Sequence, residues 1–314
     1  MINLKINNIP VAVEPGTTIL EAARQVGINI PTLCYLKDIN EIGACRICTV
    51  EVKGARGLVA ACVYPVAEGM EVFTNTKKVL DARKTNLELL LSVHNRKCLS
   101  CPRSGNCDFQ KLCNDYGISV EDAFDGVTNE YEIDASAPHM IRDNSKCVLC
   151  RRCVAVCREW QDVGVIGANE RGFKTHIGSA FEADLAEVPC VSCGQCIVAC
   201  PTGALQEKDS TDDVWAALSD PTKTVIVETA PAVRAGLGES FGYPMGTDVE
   251  GKMVAALRRL GFDKVFDTNF AADLTIMEEA NELVERIQNG GSTIYRKQNK
   301  TYFAETNKLP DRKE

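Results

Sequence analysis

The chain has 314 residues, of which 45% are hydrophobic and 25% are charged, a composition typical of a folded protein with two or three domains. A formal net charge of -8 argues against a nucleic-acid binder, because phosphate neutralisation requires clustered Lys and Arg. The sequence starts without a signal-peptide pattern and has no apolar run of about 18 residues, so we expect a cytoplasmic protein without contact to a membrane.

The first 75 residues or so predict a small α+β domain of the β-grasp ferredoxin type. The spacing of Thr18 and Glu21 is that of a capping box and places a helix at about 19–26. Short alternating or apolar runs predict the strands, which are expected at 3–6, 11–13, 47–52, 58–61 and 71–74.

Sixteen cysteines lie between Cys34 and Cys200. The cytosol keeps thiols reduced, and a chain of this length needs no disulfide staples, so we interpret the cysteines as metal ligands. The first group is Cys34, Cys45, Cys48 and Cys62. Three ligands from one loop and one from later in the chain are typical of a plant-type [2Fe-2S] ferredoxin, although the first spacing is longer here. Gly43 and Ala44 leave room for backbone near the sulfides. A four-cysteine zinc site is the alternative.

A helix predicted at 78–93 leads into a second group of one histidine and three cysteines, His94, Cys98, Cys101 and Cys107. Such a set can hold [4Fe-4S] or zinc, and the spacing does not separate the two. The position of His94, four residues before Cys98 in a chain with three histidines, favours a ligand. Cys113 fits no group and is interpreted as a small buried side chain. His139 and His176 have no candidate ligands beside them in sequence and are interpreted as structural.

The third and fourth groups are an internal repeat with the spacing of a two-cluster bacterial ferredoxin, in which the fourth cysteine of each run ligates the other cluster. The predicted sets are therefore Cys147, Cys150, Cys153 with Cys200, and Cys190, Cys193, Cys196 with Cys157. Two zinc knots are the alternative. Periodic runs are few between residues 98 and 206, so we expect folding there to depend on bound metal and not on a large apolar core.

From residue 224 the pattern changes to an α/β unit, with strands expected at 224–227 and 264–266 and helices at about 232–241, 249–260 and 271–288. Gly236 and Gly238 lie inside a helical pattern and are interpreted as packing residues, not as a dinucleotide site. The polar stretch after residue 290 is expected to be a strand or a docking tail. The predicted domains are 1–77, 78–136, 137–210 and 211–291, followed by a tail at 292–314.

The order of these sites resembles the N-terminal half of [FeFe]-hydrogenases and the start of the large iron-sulfur subunit of respiratory complex I. Residues 225–234 and 267–274 look like the opening of the hydrogenase catalytic domain. The resemblance implies that His94 is a ligand and that the chain holds one [2Fe-2S] and three [4Fe-4S] clusters. The family ligates its H-cluster through later cysteine motifs. Residues 201–314 contain no cysteine, so we expect a naturally shortened subunit that has no H-cluster and no catalytic residues.

Such a shortened chain is similar to the relay subunit of Stn-type electron-bifurcating transhydrogenases. This resemblance implies an electron relay whose partners are an NAD-binding FMN and iron-sulfur flavoprotein, a thioredoxin-like [2Fe-2S] subunit, an NADP-binding flavoprotein and ferredoxin. We expect the [2Fe-2S] or the His-ligated cluster to be the branch point. The alternatives are an [FeFe]-hydrogenase, a relay subunit of a diaphorase or formate dehydrogenase, and a non-redox zinc scaffold.

Overall fold

The structure is a computed structural model that describes residues 1–119, 124–126, 128–289, 293–297 and 300–304. The chain divides into two compact units, Met1–Lys208 and Asp209–Glu314. All sixteen cysteines lie in the first unit. Among the helices that the structure describes, none has both the length and the apolar character needed to cross a membrane.

The first unit begins with a mixed five-stranded sheet in the order β2-β1-β5-β3-β4, with β1 parallel to β5. Its elements are β1 (Ile2–Ile6), β2 (Ile9–Val13), α1 (Ile19–Gln25), β3 (Thr49–Val52), β4 (Val59–Ala60) and β5 (Glu71–Phe73). The Thr18 side chain accepts a hydrogen bond from the Glu21 amide at 3.3 Å, as the capping-box spacing predicts. Ile6, Ile19 and Leu20 are completely buried between the sheet and α1. The strands and the helix predicted in this region are confirmed.

Two helices follow, α2 (Lys77–Ser92) and α3 (Asp108–Asp115). Thr76 caps α2 by accepting from the Val79 amide at 3.3 Å. The buried face of α2 includes Leu87 and Leu91, which pack with Phe109 of α3. The pattern predicted α2 but not α3, because α3 has only eight residues and its N-terminal cap is a cysteine sulfur, a cap that sequence rules do not include.

The rest of the first unit is built from short elements around the cysteine repeat. They are β6 (Met140–Arg142), α4 (Arg152–Ala155), a π-helical turn (Val156–Trp160), β7 (Ile166–Asn169), β8 (His176–Ser179), α5 (Gln195–Ala199) and β9 (Leu205–Glu207). Two antiparallel ribbons form, β6 with β9 and β7 with β8. Met140, Ile166, Ile177, Ile197 and Leu205 are buried together with Cys153 and Cys200. The ribbons therefore supply a small apolar core, which the sequence pattern did not predict.

The second unit is an α/β arrangement around two parallel strands. Its elements are α6 (Thr211–Leu218), β10 (Ile226–Thr229), α7 (Pro231–Ser240), α8 (Glu250–Leu260), β11 (Lys264–Asp267), α9 (Thr268–Gln288), β12 (Thr293–Lys297) and β13 (Lys300–Ala304). β10 pairs with β11, and β12 with β13. β10 begins two residues later than predicted, because the Val225 amide donates to the Asp263 carboxylate and the ladder starts at Ile226.

The interpretation of the two glycines of α7 as packing residues is confirmed for Gly238 and wrong for Gly236, which is exposed and has no atom within 4 Å of where a Cβ would lie. Gly238 is buried in α7, and a Cβ there would lie 3.2 Å from a methyl group of Val249. The predicted tail is described only in part: β12 and β13 form an antiparallel hairpin within it, whereas residues 305–314 lie outside the described residues.

Candidate iron-sulfur cluster sites

The first site gathers the four N-terminal cysteines at one end of the five-stranded sheet. All four are buried, and the sulfurs of Cys48 and Cys62 lie 3.3 Å apart. Hydrogen bonds from Cys45 and Cys62 lower the pKa of Cys34, and the bond from Cys62 lowers the pKa of Cys48 to about 7. The same hydrogen bonds raise the pKa of Cys45 and Cys62, so the four sulfurs share protons, and the protons that remain would be released on binding iron. Gly43 has a φ of +61°, which permits the turn that brings Cys45 to this group.

The second site is a cavity of about 180 Å³ lined by His94, Cys98, Cys101 and Cys107. Burial, with the nearby charge of Lys146, lowers the pKa of His94 to about 4, so the imidazole is neutral near pH 7. The ring hydrogen-bonds the Lys146 backbone, whereas Nδ1 is buried without a hydrogen-bond partner among the described residues. A ligating histidine has this arrangement, with one nitrogen held by a backbone group and the other free for the metal. The site therefore fits the predicted ligand set.

Cys113 of α3 lines the same cavity. It is 7% exposed, and burial raises the pKa of its thiol to about 12, so the side chain is a neutral, buried thiol. This agrees with its interpretation as a small buried residue. The turn after Cys200 also closes against this site, since a Cβ on Gly203 would lie only 2.8 Å from the Cys101 sulfur. Glycine at position 203 is what allows that approach.

The eight cysteines of the repeat line two further cavities, and they do so as crossed sets. One cavity is lined by Cys147, Cys150, Cys153 and Cys200. The other is lined by Cys157, Cys190, Cys193 and Cys196. The structure thus brings together the residues that the ferredoxin-type spacing predicts, with the fourth cysteine of each run in the cavity of the other run. Burial raises the pKa of Cys147 and of Cys196 to about 11, so these thiols would release protons on binding a cluster.

The repeat extends to the backbone conformation. Leu149 and Arg151 in the first run have φ values of +52° and +60°, and Ser192 and Gly194 occupy the equivalent positions in the second run with +55° and +70°. Left-handed residues at such turns direct successive backbone N–H groups into a concavity that favours anions. An iron-sulfur cluster with four thiolates is anionic, so both loops suit it.

Among the residues that the structure describes, no group of three or more His, Cys, Asp or Glu side chains is arranged to hold one metal ion.

Buried polar side chains join the loops of the first three sites. Asn40, 3% exposed, donates to the carbonyl of Cys34 at 2.7 Å and to that of Cys150 at 3.0 Å. Arg152 donates to the Tyr35 carbonyl at 3.1 Å and pairs with Asp108 at 3.3 Å. Such bonds would be costly to break, because the buried groups would lose their partners. The loop of the third site is therefore fixed against both the first and the second site.

The interpretation of His139 as a residue without candidate ligands nearby was wrong. Its Nε2 atom lies 3.8 Å from the Cys190 sulfur, across 51 residues of sequence. The contact arises from the tertiary fold, so no local sequence signal could have shown it. His176 instead faces Glu182, with 2.9 Å between Nε2 and the carboxylate.

Four family profiles match successive parts of the chain. They are a 2Fe-2S iron-sulfur cluster binding domain at residues 1–77, the NADH-ubiquinone oxidoreductase-G iron-sulfur binding region at 83–121, a 4Fe-4S dicluster domain at 146–204, and the C-terminal domain of the iron-only hydrogenase large subunit at 223–296. The chain is thus an iron-sulfur protein of mixed α/β fold, with one 2Fe-2S domain followed by 4Fe-4S regions. The hydrogenase match reaches residue 296, beyond the predicted boundary at 291.

Individual relatives confirm the resemblance to the iron-sulfur half of iron-only hydrogenases. The chain is 49% identical to the NADP-reducing hydrogenase subunit HndD of Solidesulfovibrio fructosivorans and 43% identical to iron hydrogenase 1 of Clostridium pasteurianum, in each case over 91% of this chain and 50% of the relative. It therefore spans about half the length of these relatives.

More distant matches cover about two thirds of the chain. The NADPH-Fe(3+) oxidoreductase subunit alpha of Geobacter sulfurreducens is 36% identical over 66% of this chain and 24% of the relative. A chain in the crystal structure of an NAD+-reducing [NiFe]-hydrogenase in the H2-reduced state aligns with a TM-score of 0.62 at 28% identity, covering 67% of this chain and 88% of that chain.

Proposed function

We propose that the chain is an electron-relay subunit of a multi-subunit, flavin-based oxidoreductase in the cytoplasm. The observation that carries the proposal is the sorting of the cysteines and His94 into four separate sites within one unit. The ligands would be Cys34, Cys45, Cys48 and Cys62 for [2Fe-2S], and for the three [4Fe-4S] clusters His94 with Cys98, Cys101 and Cys107, then the two crossed sets of the repeat. The clusters would supply one-electron storage, and the chain would fix their positions and set their potentials.

The connections between the loops support a junction at the third site. Asn40 joins that site to the loop of the first, and Gly203 permits close contact with the second. The segment of α4 and the π-helical turn carries Cys153 of the third site and Cys157 of the fourth. From the sequence we expected the branch point at the [2Fe-2S] or the His-ligated cluster; these contacts favour, as our proposal, the site of Cys147, Cys150, Cys153 and Cys200. Electrons from two entry sites would meet there.

The second unit would bind a partner. Residues 223–296, which match the hydrogenase domain, contain no cysteine, so that segment offers no thiolate to an active-site cluster. Ile276 and Met277 of α9 are 65% and 64% exposed within the chain. Such apolar exposure suits an interface with another subunit or domain. The partners would be an NAD-binding FMN and iron-sulfur flavoprotein, a thioredoxin-like [2Fe-2S] subunit, an NADP-binding flavoprotein and ferredoxin, in an electron-bifurcating transhydrogenase.

Two measurements on the anaerobically reconstituted chain test the relay role: its iron content and its rate of hydrogen evolution. We expect about fourteen iron atoms per chain, the sum for one [2Fe-2S] and three [4Fe-4S] clusters. We also expect no hydrogen from reduced methyl viologen. A content near ten iron atoms would mean that one of the three [4Fe-4S] assignments is wrong. Zinc in place of iron would overturn the proposal that the chain is an electron relay. Hydrogen evolution by the iron-replete chain would favour the second candidate, an [FeFe]-hydrogenase, which the identity to HndD and iron hydrogenase 1 supports.

A further inference from the structure

His139 is held in the wall of the fourth site by contacts at both ring nitrogens. It lines the cavity of Cys157, Cys190, Cys193 and Cys196. Nε2 lies 3.8 Å from the Cys190 sulfur, and Nδ1 lies 3.1 Å from the Ser192 hydroxyl. The backbone at His139 is fixed as well, because its carbonyl accepts from the Lys208 amide at 3.1 Å and β6 begins at the next residue.

The chemistry of a ligating cysteine determines which way the hydrogen bonds run. A thiolate bound to iron has no proton, so it can only accept. The contact with Cys190 then requires the tautomer of His139 that has its hydrogen on Nε2. In that tautomer Nδ1 is an acceptor, and the Ser192 hydroxyl can donate a hydrogen bond to it. Ser192 therefore holds the ring in place and, by donating to Nδ1, accommodates the tautomer that donates to Cys190.

The third site has no such pair. The repeat places Leu149 where the fourth site has Ser192, and leucine has no hydroxyl to orient an imidazole. The ligand sulfurs of the third site instead contact the Leu149 backbone amide, 3.3 Å from Cys147, and the Thr202 hydroxyl, 3.7 Å from Cys200. The two sites therefore differ in the side chains around equivalent ligands, although their spacing and backbone turns are the same.

We propose that His139, positioned by Ser192, donates a hydrogen bond to the Cys190 sulfur and raises the reduction potential of the fourth cluster above the value that its cysteines alone would give. The inference rests on the ligand sets of the proposed function. Hydrogen bonds to ligand sulfurs stabilise the reduced, more negative cluster, which is how they raise a potential. Compared with a fourth cluster that lacks this bond, electrons that reach the third site would be drawn more strongly toward the fourth.

Redox titration followed by EPR on the full, iron-replete chain tests the proposal. The signal of the fourth cluster is first assigned as the one that Cys193→Ser perturbs. His139→Leu should then reduce the equilibrium constant for reduction of that cluster about tenfold, which is about 59 mV for one electron, with the third cluster unmoved. Ser192→Ala should give a smaller shift of the same sign, and His139→Gln, whose amide can donate, should restore part of the potential.

The matched control is His176→Leu, which removes a histidine of the same region that faces Glu182 and not a ligand sulfur. It should leave both potentials unchanged. An unmoved midpoint in iron-replete His139→Leu, or an equal shift in His176→Leu, would overturn the role of His139. If His139→Leu loses iron, His139→Gln and Ser192→Ala decide the question by the same readout. Fewer than three [4Fe-4S] clusters in the unmodified chain would instead count against the proposed function.

Discussion

The N-terminal domain and the dicluster region hold their cysteines on different kinds of framework. Residues 2–73 form a five-stranded sheet with a helix, and Ile6, Leu20 and Val50 are completely buried there. Residues 140–207 have two two-stranded ribbons and helices of four and five residues. Cysteines belong to the buried core in both regions, Cys48 and Cys62 in the first and Cys153 and Cys200 in the second. Helices that short are unstable without tertiary support. The comparison teaches that the first domain can fold before its cluster arrives, whereas the second region needs its clusters.

Of the changes considered, removal of iron should produce the largest difference in stability between the two regions. In chelator-treated, reduced chain we expect amides of β1 and β3 to stay protected from hydrogen exchange, because apolar burial holds the sheet. Amides of α4 and α5 should lose protection, because metal binding supplies much of the folding free energy there. Mass-spectrometric exchange on the iron-replete and iron-free chains measures both. Equal protection of α4 and α5 in the two forms would break the comparison.

Because the ligands are crossed, substitution of the fourth cysteine in one run of the repeat should perturb the cluster that the other run mainly binds. Cys157→Ser should perturb the EPR signal of the cluster held by Cys190, Cys193 and Cys196, although Cys157 belongs to the other run. Cys200→Ser should do the converse. The control is Cys62→Ser, which should affect the [2Fe-2S] signal alone because that site draws its four ligands from one domain. If each substitution in the repeat disturbs only its own run, the crossed topology is wrong.

Apolar truncation should affect the N-terminal domain whether or not iron is present. Ile6→Ala should lower the free energy of unfolding of this domain by about 2–5 kcal/mol, the usual cost of removing a buried aliphatic side chain. Exchange of the slowest amides in β1 and β3, with and without iron, gives this value. Ile9→Ala, on the neighbouring strand and 43% exposed, is the control and should cost about 0.5 kcal/mol or less. Dependence of the Ile6→Ala effect on iron would contradict a preformed core.

The difference between the two regions also explains which parts of the fold and of the cluster sites could be predicted from the sequence alone. Periodicity predicted the strands and helix of the N-terminal domain, because alternating residues such as Val11 and Val13 face one core. Cysteine spacing predicted the sets that line the cavities, because ligand spacing is set by the cluster. The ribbons of the dicluster region were missed, since Gly167 and Gly178 interrupt the apolar pattern of β7 and β8, and glycine is a poor strand signal. Contacts such as Asn40 to Cys150 and His139 to Cys190 depend on tertiary pairing.

His94 lies in sequence between the two regions. Its substitution should change the reduction potential of the second cluster without a large change in the stability of the chain. Replacing this neutral imidazole with a thiolate in His94→Cys would make the second cluster more negative, so its midpoint should fall. EPR-monitored titration of that cluster is the measurement, with Cys113→Ala as a control that alters the same cavity without adding charge. An unmoved midpoint with full iron content would remove His94 from the ligand set.

The smallest expected effect is a pH dependence of the stability of the ribbon formed by β7 and β8. Burial opposes protonation of His176, but its bonds with Glu182 and with the Lys174 carbonyl outweigh this and raise the pKa of the imidazole. The bond from His176 lowers the pKa of Glu182. A raised histidine pKa adds stability below the unfolded value of about 6.5 that is lost as pH rises through the folded pKa. Since Glu182 has a side chain that is 56% exposed, the gain should stay below about 1 kcal/mol.

Hydrogen exchange of the β7 and β8 amides between pH 6 and pH 8, corrected for intrinsic rates, measures this contribution. Protection should fall slightly as pH rises in the unmodified chain, and Glu182→Gln should flatten that dependence, because it removes the charge that favours the imidazolium. Glu187→Gln is the matched control: Glu187 is exposed in the same loop and has no ion pair among the described residues. The same pH dependence in Glu182→Gln as in the unmodified chain would show that the ribbon owes its stability to the buried Ile166 and Ile177, as the N-terminal sheet does to its own core.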